Sequence, residues 1–304
     1  MIKGLDSIGE RFLADLSRVE ERSRKVQNQI SSGYRASRVS DEPQNVVNIL
    51  HLRSRVEHAT TISSNLTRVK AEVDTAEAAV RLAVKLVERA NTLGVQTANG
   101  VAVNRNLIAI EVRQIHEQLV SFSNTSSEGR LVFSGDLDQT SLYSLDLTQP
   151  GGVNRVAVAT NTRQIEDVKG TRFSVSKSVH ELFDIRDSLD VPTTDNVFVA
   201  LTELATAMEA DDPVAVEAAL PKIAAALDTL NRNLTFYGQA QNRVTNAIDE
   251  TGNASVALRT ELGAAQDTDL AAALVELNLT RVHQEAALGA HSRLPKTSLF
   301  DYLG

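Results

Sequence analysis

From Ile62 to Gly94 an apolar or small residue returns every three or four positions without a slip: Ile62, Leu66, Val69, Val73, Ala76, Val80, Ala83, Val87, Ala90 and Gly94. An α-helix turns once per about 3.6 residues, so this rhythm draws one stripe down one side of it. A strand would alternate with period two. A stripe this long predicts a long helix packed lengthwise against others.

The same rhythm recurs along most of the chain. Near the start, Leu5, Phe12, Val19 and Val26 form one row, and Ile2, Gly9, Leu16, Ser23 and Ile30 its companion. A helix from Ile2 to Ile30 would be about 40 Å long. The stretch "SSGYRASRVSDEPQ" breaks it. Here Gly33 ends a helix, Arg35 lies in the junction, Ser40 or Asp41 caps the next helix, and Pro43 fits its first turn. A further stripe, Ile108, Val112, Ile115, Leu119 and Phe122, predicts a helical hairpin of residues 44–98 against 104–127.

The period then changes. "GRLVFSG" is a short β-branched and aromatic run that reads as a strand. "NRVAVATNT" and "GTRFSVSKSV" alternate at period two, and "QPGG" supplies turn chemistry. Residues 136–194 therefore read as a small β-rich domain with an acidic, solvent-facing surface. Helix resumes near Asp195. Asp211, Asp212 and Pro213 mark a helix start, and Pro221 a break or restart. A last long row runs Ile223, Leu227, Leu230, Leu234, Tyr237, Gln241, Val244, Ile248, Thr251, Ser255, Leu258 and Leu262.

The predicted fold is mainly α: a long antiparallel helical bundle or coiled-coil rod built from both chain ends, with a small β-rich inserted domain. Five segments follow: 1–40 and 267–304 as terminal coiled-coil segments, 41–135 and 195–266 as the helical rod, and 136–194 as the insert. Composition narrows the function. A net charge of −8 argues against a nucleic-acid partner. The absence of cysteine excludes disulfides, thiolate metal sites and a cysteine nucleophile. The N-terminus carries no continuous apolar core of a secretory signal, and no run of about 18 apolar residues predicts a membrane span.

Catalytic patterns do not emerge, and no cofactor or metal site is expected. His51 and His58 are seven residues apart, about 10 Å along a helix, too far to share one metal ion. His116, His180, His283 and His291 stand alone in sequence, and Gly151-Gly152 lacks the lysine of a phosphate loop. The terminal segments stand out instead. Leu270, Leu274 and Leu277 form one row near the C-terminus; Val275, Leu279, Val282 and Ala286 form another. Together they make a face wider than one partner helix covers, and "SLFDYLG" adds further apolar residues. Copies of the same chain are the simplest cover. The expected assembly interface is Leu5, Phe12, Leu16, Val19, Val26, Ile30, Leu270, Leu274, Leu277, Val282, Leu294, Leu299, Tyr302 and Leu303.

Two long stretches carry a family resemblance. "ISSGYRASRVSDEPQNVVNILHLRSRV", followed by "VDTAEAAVRLAVKLVERANTLGVQTANG", resembles the N-terminal region of bacterial flagellins and their hook-associated relatives. "LVELNLTRVHQEAALGAHSRLPKTSLFDYL" resembles the matching C-terminal region. "SDEP" and "GRLVFSG" are similar to the hook-associated members. The resemblance implies a structural protein, not an enzyme, exported by the flagellar type III apparatus and secreted to the hook–filament junction. It implies that residues 1–40 and 267–304 are unfolded or chaperone-held before assembly and form the inner coiled-coil layer afterwards. The implied partners are copies of itself in a ring layer, another hook-associated protein on the hook side, flagellin on the filament side, and a cytoplasmic export chaperone on the C-terminal helix, with no nucleic acid or membrane. Two alternatives stay open: flagellin itself, and a cytoplasmic coiled-coil signalling or tethering rod.

Overall fold

The computed structural model describes residues 3–35, 43–99, 104–137, 141–159 and 161–292. Seven helices and six short strands follow one another among them: α1 (Lys3–Ser32), α2 (Pro43–Asn99), α3 (Arg105–Ser123), β1 (Ser126–Ser127), β2 (Arg130–Leu131), β3 (Tyr143–Leu145), β4 (Val153–Arg155), β5 (Gln164–Glu166), β6 (Arg172–Ser174), α4 (Val179–Leu182), α5 (Val197–Glu209), α6 (Pro213–Gln266) and α7 (Leu270–Ser292). The chain divides into two compact units, one of Met1–His58 with Ser255–Gly304, the other of Ala59–Ala254.

In the Ala59–Ala254 unit the predicted stripes are the buried ones. Val73, Ala76, Val80, Ala83, Val87 and Ala90 of α2 are all at most 2% exposed. Valine and alanine alternate along this row, which keeps the helix surface shallow. Gly94 takes that further: a Cβ there would lie 2.6 Å from Leu220 of α6. Gln241 Nε2 donates to Asp74 at 3.0 Å, so α2 and α6 run antiparallel within this unit. Leu201, Leu204 and Met208 of α5 and Val112, Ile115 and Leu119 of α3 complete the helical core.

Helix ends follow local chemistry. Asn104 caps α3 by accepting the Leu107 N–H. Asp212 accepts from Val214 and Ala215 at the start of α6, as its sequence predicts. The expected break at Pro221 does not occur, and α6 runs through it. Pro221 and Glu217, whose carbonyl its missing N–H would have met, both face solvent, where water replaces that bond. The second arm of the predicted hairpin also ends earlier, at Ser123 rather than 127, because Ser126 and Ser127 enter a ladder.

Among the described residues the strands form three separate two-stranded antiparallel ladders, β1–β2, β3–β4 and β5–β6. "GRLVFSG" is not one strand. Only Arg130 and Leu131 pair, opposite Ser127 and Ser126, and Val132 to Gly135 turn into the core, with Gly135 at φ 57°. Phe133 is fully buried there, edge-on to Phe183 and Tyr237. "QPGG" forms the expected turn, with the Gly152 N–H on the Gln149 carbonyl.

The inserted region shares its core with the helices. Tyr143, Val153, Phe173, Val175 and Phe183 pack in the same cluster as α2, α3, α5 and α6. It is also fastened along α6. Asn233 donates to the Glu181 carbonyl, the Tyr237 hydroxyl accepts from the Lys177 N–H, Arg243 lies 4.2 Å over the Phe173 ring, and Lys169 reaches Glu250. Arg163 pairs with Glu72 of α2. Not every acid of this region faces solvent. Asp184 is buried, accepting from Tyr143 Oη and Asn196 Nδ2 at 2.8 Å each and from Arg186 Nε at 3.0 Å.

Candidate assembly surface

The unit formed by the two chain ends holds the α1–α7 pair. Among the described side chains of α1, those that turn from solvent are Phe12, Leu16, Val19, Ser23, Val26 and Ile30, of the two rows read from the sequence, and Gln29 beside them. Val26 is the most buried of them, at 3% exposure. They face a stripe of α7 made of Ala273, Leu277, Thr280, Gln284 and Ala287. Arg22 Nε meets Glu276 at 2.6 Å, and the Phe12 ring stacks on His291. Numbers that rise along α1 and fall along α7 make the pair antiparallel.

A backbone clamp closes this pair. Gly33 ends α1 in the left-handed region, φ 75°, its N–H on the Gln29 carbonyl. The chain then runs beside the α6–α7 junction. The Arg35 N–H donates to Gln266 O at 2.8 Å, the Thr268 N–H donates to Gly33 O at 2.9 Å, and Tyr34 bridges to Asp267. The Arg35 guanidinium reaches the Ala265 carbonyl, and Gln29 Nε2 donates to Arg35 O at 2.6 Å. Gly33 and Arg35 thus act together at the break between α6 and α7. Ser40 and Asp41 lie outside the described residues, as does the side chain of Pro43, the first residue of α2.

What the pair leaves uncovered is chemically one-sided. At about 100° per residue, Val275, Leu279, Val282 and Ala286 lie on the side of α7 opposite the α1 stripe, with Leu270, Leu274 and Leu288 on one flank. The leucines and valines of this set are 48–61% exposed. Of the α7 residues expected at an interface, only Leu277 enters the seam with α1; Leu270, Leu274 and Val282 stay in solvent. Leu294, Leu299, Tyr302 and Leu303 lie outside the described residues, as does the side chain of Leu5.

Ala273, Thr280, Gln284 and Ala287, which the sequence reading missed, form most of the intrachain seam. The small Ala273, Thr280 and Ala287 let α1 approach closely. Thr280 satisfies its buried hydroxyl on the Glu276 carbonyl at 2.6 Å. No hydrophobicity signal marks such residues. Apart from Leu277, α7 keeps its leucines and valines outward, and they make an uncovered apolar face. No described helix is long and apolar enough to cross a membrane.

Comparisons with known proteins agree with this architecture. The family model of the bacterial flagellin N-terminal helical region matches residues 11–137, and that of the bacterial flagellin C-terminal helical region matches residues 220–303. No curated protein matches the chain. Several solved structures share the fold. A structure described as a putative flagellar hook-associated protein of Vibrio parahaemolyticus aligns with a TM-score of 0.63 at 18% identity, over 75% of this chain and 100% of that one. FlgL of Bacillus cereus aligns at 0.54 and 22% identity, over 70% and 97%. Flagellar hook-associated protein 3 of Legionella pneumophila aligns at 0.61 and 12% identity, over 71% and 98%. With both helical regions matched in order on either side of the insert, the chain belongs to the bacterial flagellin family.

Proposed function

We propose that this protein is the structural layer at the hook–filament junction of the flagellum, exported through the flagellar apparatus and used as the adaptor on which flagellin polymerises. The observation that carries the reading is the uncovered apolar side of α7 in a family whose two helical ends are both present here. The solved proteins that share the fold are described as hook-associated or junction proteins, which supports this place in the flagellum.

In this reading residues 1–40 and 267–304 form the inner assembly layer, 41–135 and 195–266 the rod, and 136–194 the outer insert. Leu270, Leu274 and Val282 meet neighbouring copies in a ring, continued by Leu294, Leu299, Tyr302 and Leu303. Phe12, Leu16, Val19, Val26, Ile30 and Leu277 hold the coil that presents them, and Leu5 continues the α1 row. The hook side meets another hook-associated protein and the filament side meets flagellin. Before export, a cytoplasmic chaperone covers the same C-terminal helix. Burying each large side chain contributes roughly 1.5–3 kcal/mol before ordering costs.

Immunogold labelling of isolated flagella tests the reading, with one band at the hook tip as the expected result. A uniformly labelled shaft would mean the filament subunit, a second reading favoured by the flagellin family models that match both ends. Seeding separates the two as well, since a filament subunit extends into long filaments and a junction layer does not.

A further inference from the structure

His116 stands at 1% exposure on α3, facing the turn from Asp146 to Gly152. Its Nε2 lies 2.9 Å from the Gly151 carbonyl oxygen. A carbonyl only accepts, so the proton of the neutral ring sits on Nε2 and donates there. Nδ1 is then a bare lone pair, buried and without a hydrogen-bond partner. The turn presses on the ring so closely that a Cβ on Gly152 would lie 2.9 Å from His116 Cε1 and 2.9 Å from Thr202 Oγ1.

The surroundings offer no unengaged carboxylate to a second proton. On α3 itself, Arg113 lies one turn away, held by Glu209 at 2.9 Å and by Thr206, and Glu117 faces solvent. From α5, Phe198 meets the ring edge-on at 5.7 Å and Thr202 brings a buried hydroxyl, while the neighbouring Glu203 is engaged by Lys222. From the turn come the Gly151 carbonyl, the Gly152 backbone and one carboxylate, Asp146, bonded to Thr148. Burial, with Arg113 a smaller influence in the same direction, outweighs the Gly151 bond and holds the imidazole below its ordinary range.

We propose that His116 is a proton-sensitive latch, holding the Asp146–Gly152 turn against α3 and α5 when neutral and releasing it in acid. A proton at Nδ1 would place a charged, unpaired N–H in an apolar contact, so the protonated ring is stable only where water reaches it. The closed form binds fewer protons than the open one, so opening becomes easier as pH falls below the ordinary histidine value of about 6.5. An exported protein with such a latch loosens its insert in acidic surroundings while the rest of the core stays packed.

The chain contains no cysteine, so Thr202→Cys supplies a single thiol beneath the turn. Its labelling by a thiol reagent, corrected for thiolate fraction on the denatured chain, reports opening. Linkage of one proton predicts a rise of about tenfold in the corrected rate between about pH 7.5 and about pH 5.5. The same probe in a His116→Gln background, which keeps a donor for Gly151 but takes no proton, should show no such rise. A flat rate in the parent, or an equal rise in the His116→Gln background, overturns the latch. If the His116→Gln variant does not fold, ring NMR of the unaltered protein decides. A neutral His116 in the closed form through about pH 5.5 supports the proposal, and ordinary titration near about 6.5 with the turn still closed overturns it.

Discussion

Phe12 and His291 lie ring on ring, 4.0 Å between centroids and 8° from parallel. One residue sits in the first half of α1 and the other in the last turn of α7. Together with Arg22–Glu276 and Gly33–Thr268, the stack sets the register of the terminal pair. Phe12→Ala should weaken that pair by about 1 kcal/mol for the lost ring contact, with lost burial added. The expected readout is faster proteolysis within residues 3–32 while the melting transition of the Ala59–Ala254 unit stays put. Equal protection of α1 in both proteins would show that the stack sets nothing.

The two sides of α7 should respond differently to one change. Ala273→Asp places a charge in the seam with α1, and the pair should open in the isolated protein. Val282→Asp lands on the solvent side, so circular dichroism and melting should be nearly unchanged, within about 0.5 kcal/mol. Export of this second variant should continue while its incorporation into flagella fails. Normal incorporation would remove the outer α7 row from the assembly surface.

Two glycines separate backbone strain from crowding. Gly33 has φ 75° with open space around its missing Cβ, so Gly33→Ala should cost about 1–2 kcal/mol from the left-handed backbone alone. Gly152 has φ 67° and also touches His116 and Thr202, so Gly152→Ala should cost more, by about 1–3 kcal/mol. Denaturant midpoints of both variants check the order. A smaller loss at Gly152 would mean that the turn lifts at little cost.

Asp184 gathers three donors in the insert. Asp184→Ala leaves Tyr143, Asn196 and the Arg186 guanidinium short of a partner and should cost about 3–5 kcal/mol. Tyr143→Phe keeps the ring and loses one bond, so about 1–3 kcal/mol is expected. Burial first, and the Asp184 carboxylate next, push the Tyr143 phenol well above its usual range. Tyr143 should therefore show no phenolate absorbance in alkali until the protein unfolds.

At the start of α4, Glu181 completes a capping box with Ser178 and takes a 2.6 Å contact from Lys177 Nζ. Burial alone would raise this carboxyl, but Lys177 and the Ser178 N–H and hydroxyl outweigh it and hold it below the usual range. A carboxyl held down in the folded state stabilises above its unfolded value of about 4.3, and that contribution disappears as pH falls through the folded value. Melting curves of Glu181→Gln and the parent should therefore differ at neutral pH and converge in acid. A constant gap would assign the effect of the substitution to packing.

The helices were legible because their signal is repetition. The row from Ile223 to Leu262 alternates buried and half-buried positions over its whole length, and the α1 rows are the ones turned from solvent. Any packed helix with that row must bury that side, so local sequence suffices. The strands were poorly legible for the opposite reason. Each is two or three residues long, so the period-two stretches "NRVAVATNT" and "GTRFSVSKSV" overrun β4 and β6, and "GRLVFSG" is apolar because it turns into the core. Pro221 misled because its cost depends on whether water reaches the carbonyl it would have paired with, and only the fold determines that.

The sequence by itself determined that this chain makes long helices, which side of each is apolar, and that α7 carries more apolar surface than one partner needs. Only the tertiary structure decided which side of α7 that partner takes. Small and polar residues give no hydrophobic signal, yet the small ones let α1 come close, so the Ala273–Thr280 side is filled from within and the Leu279–Val282 side stays in solvent. It also decided that His116, solitary in the sequence, sits sealed beneath a glycine turn, because burial comes from residues distant in the chain.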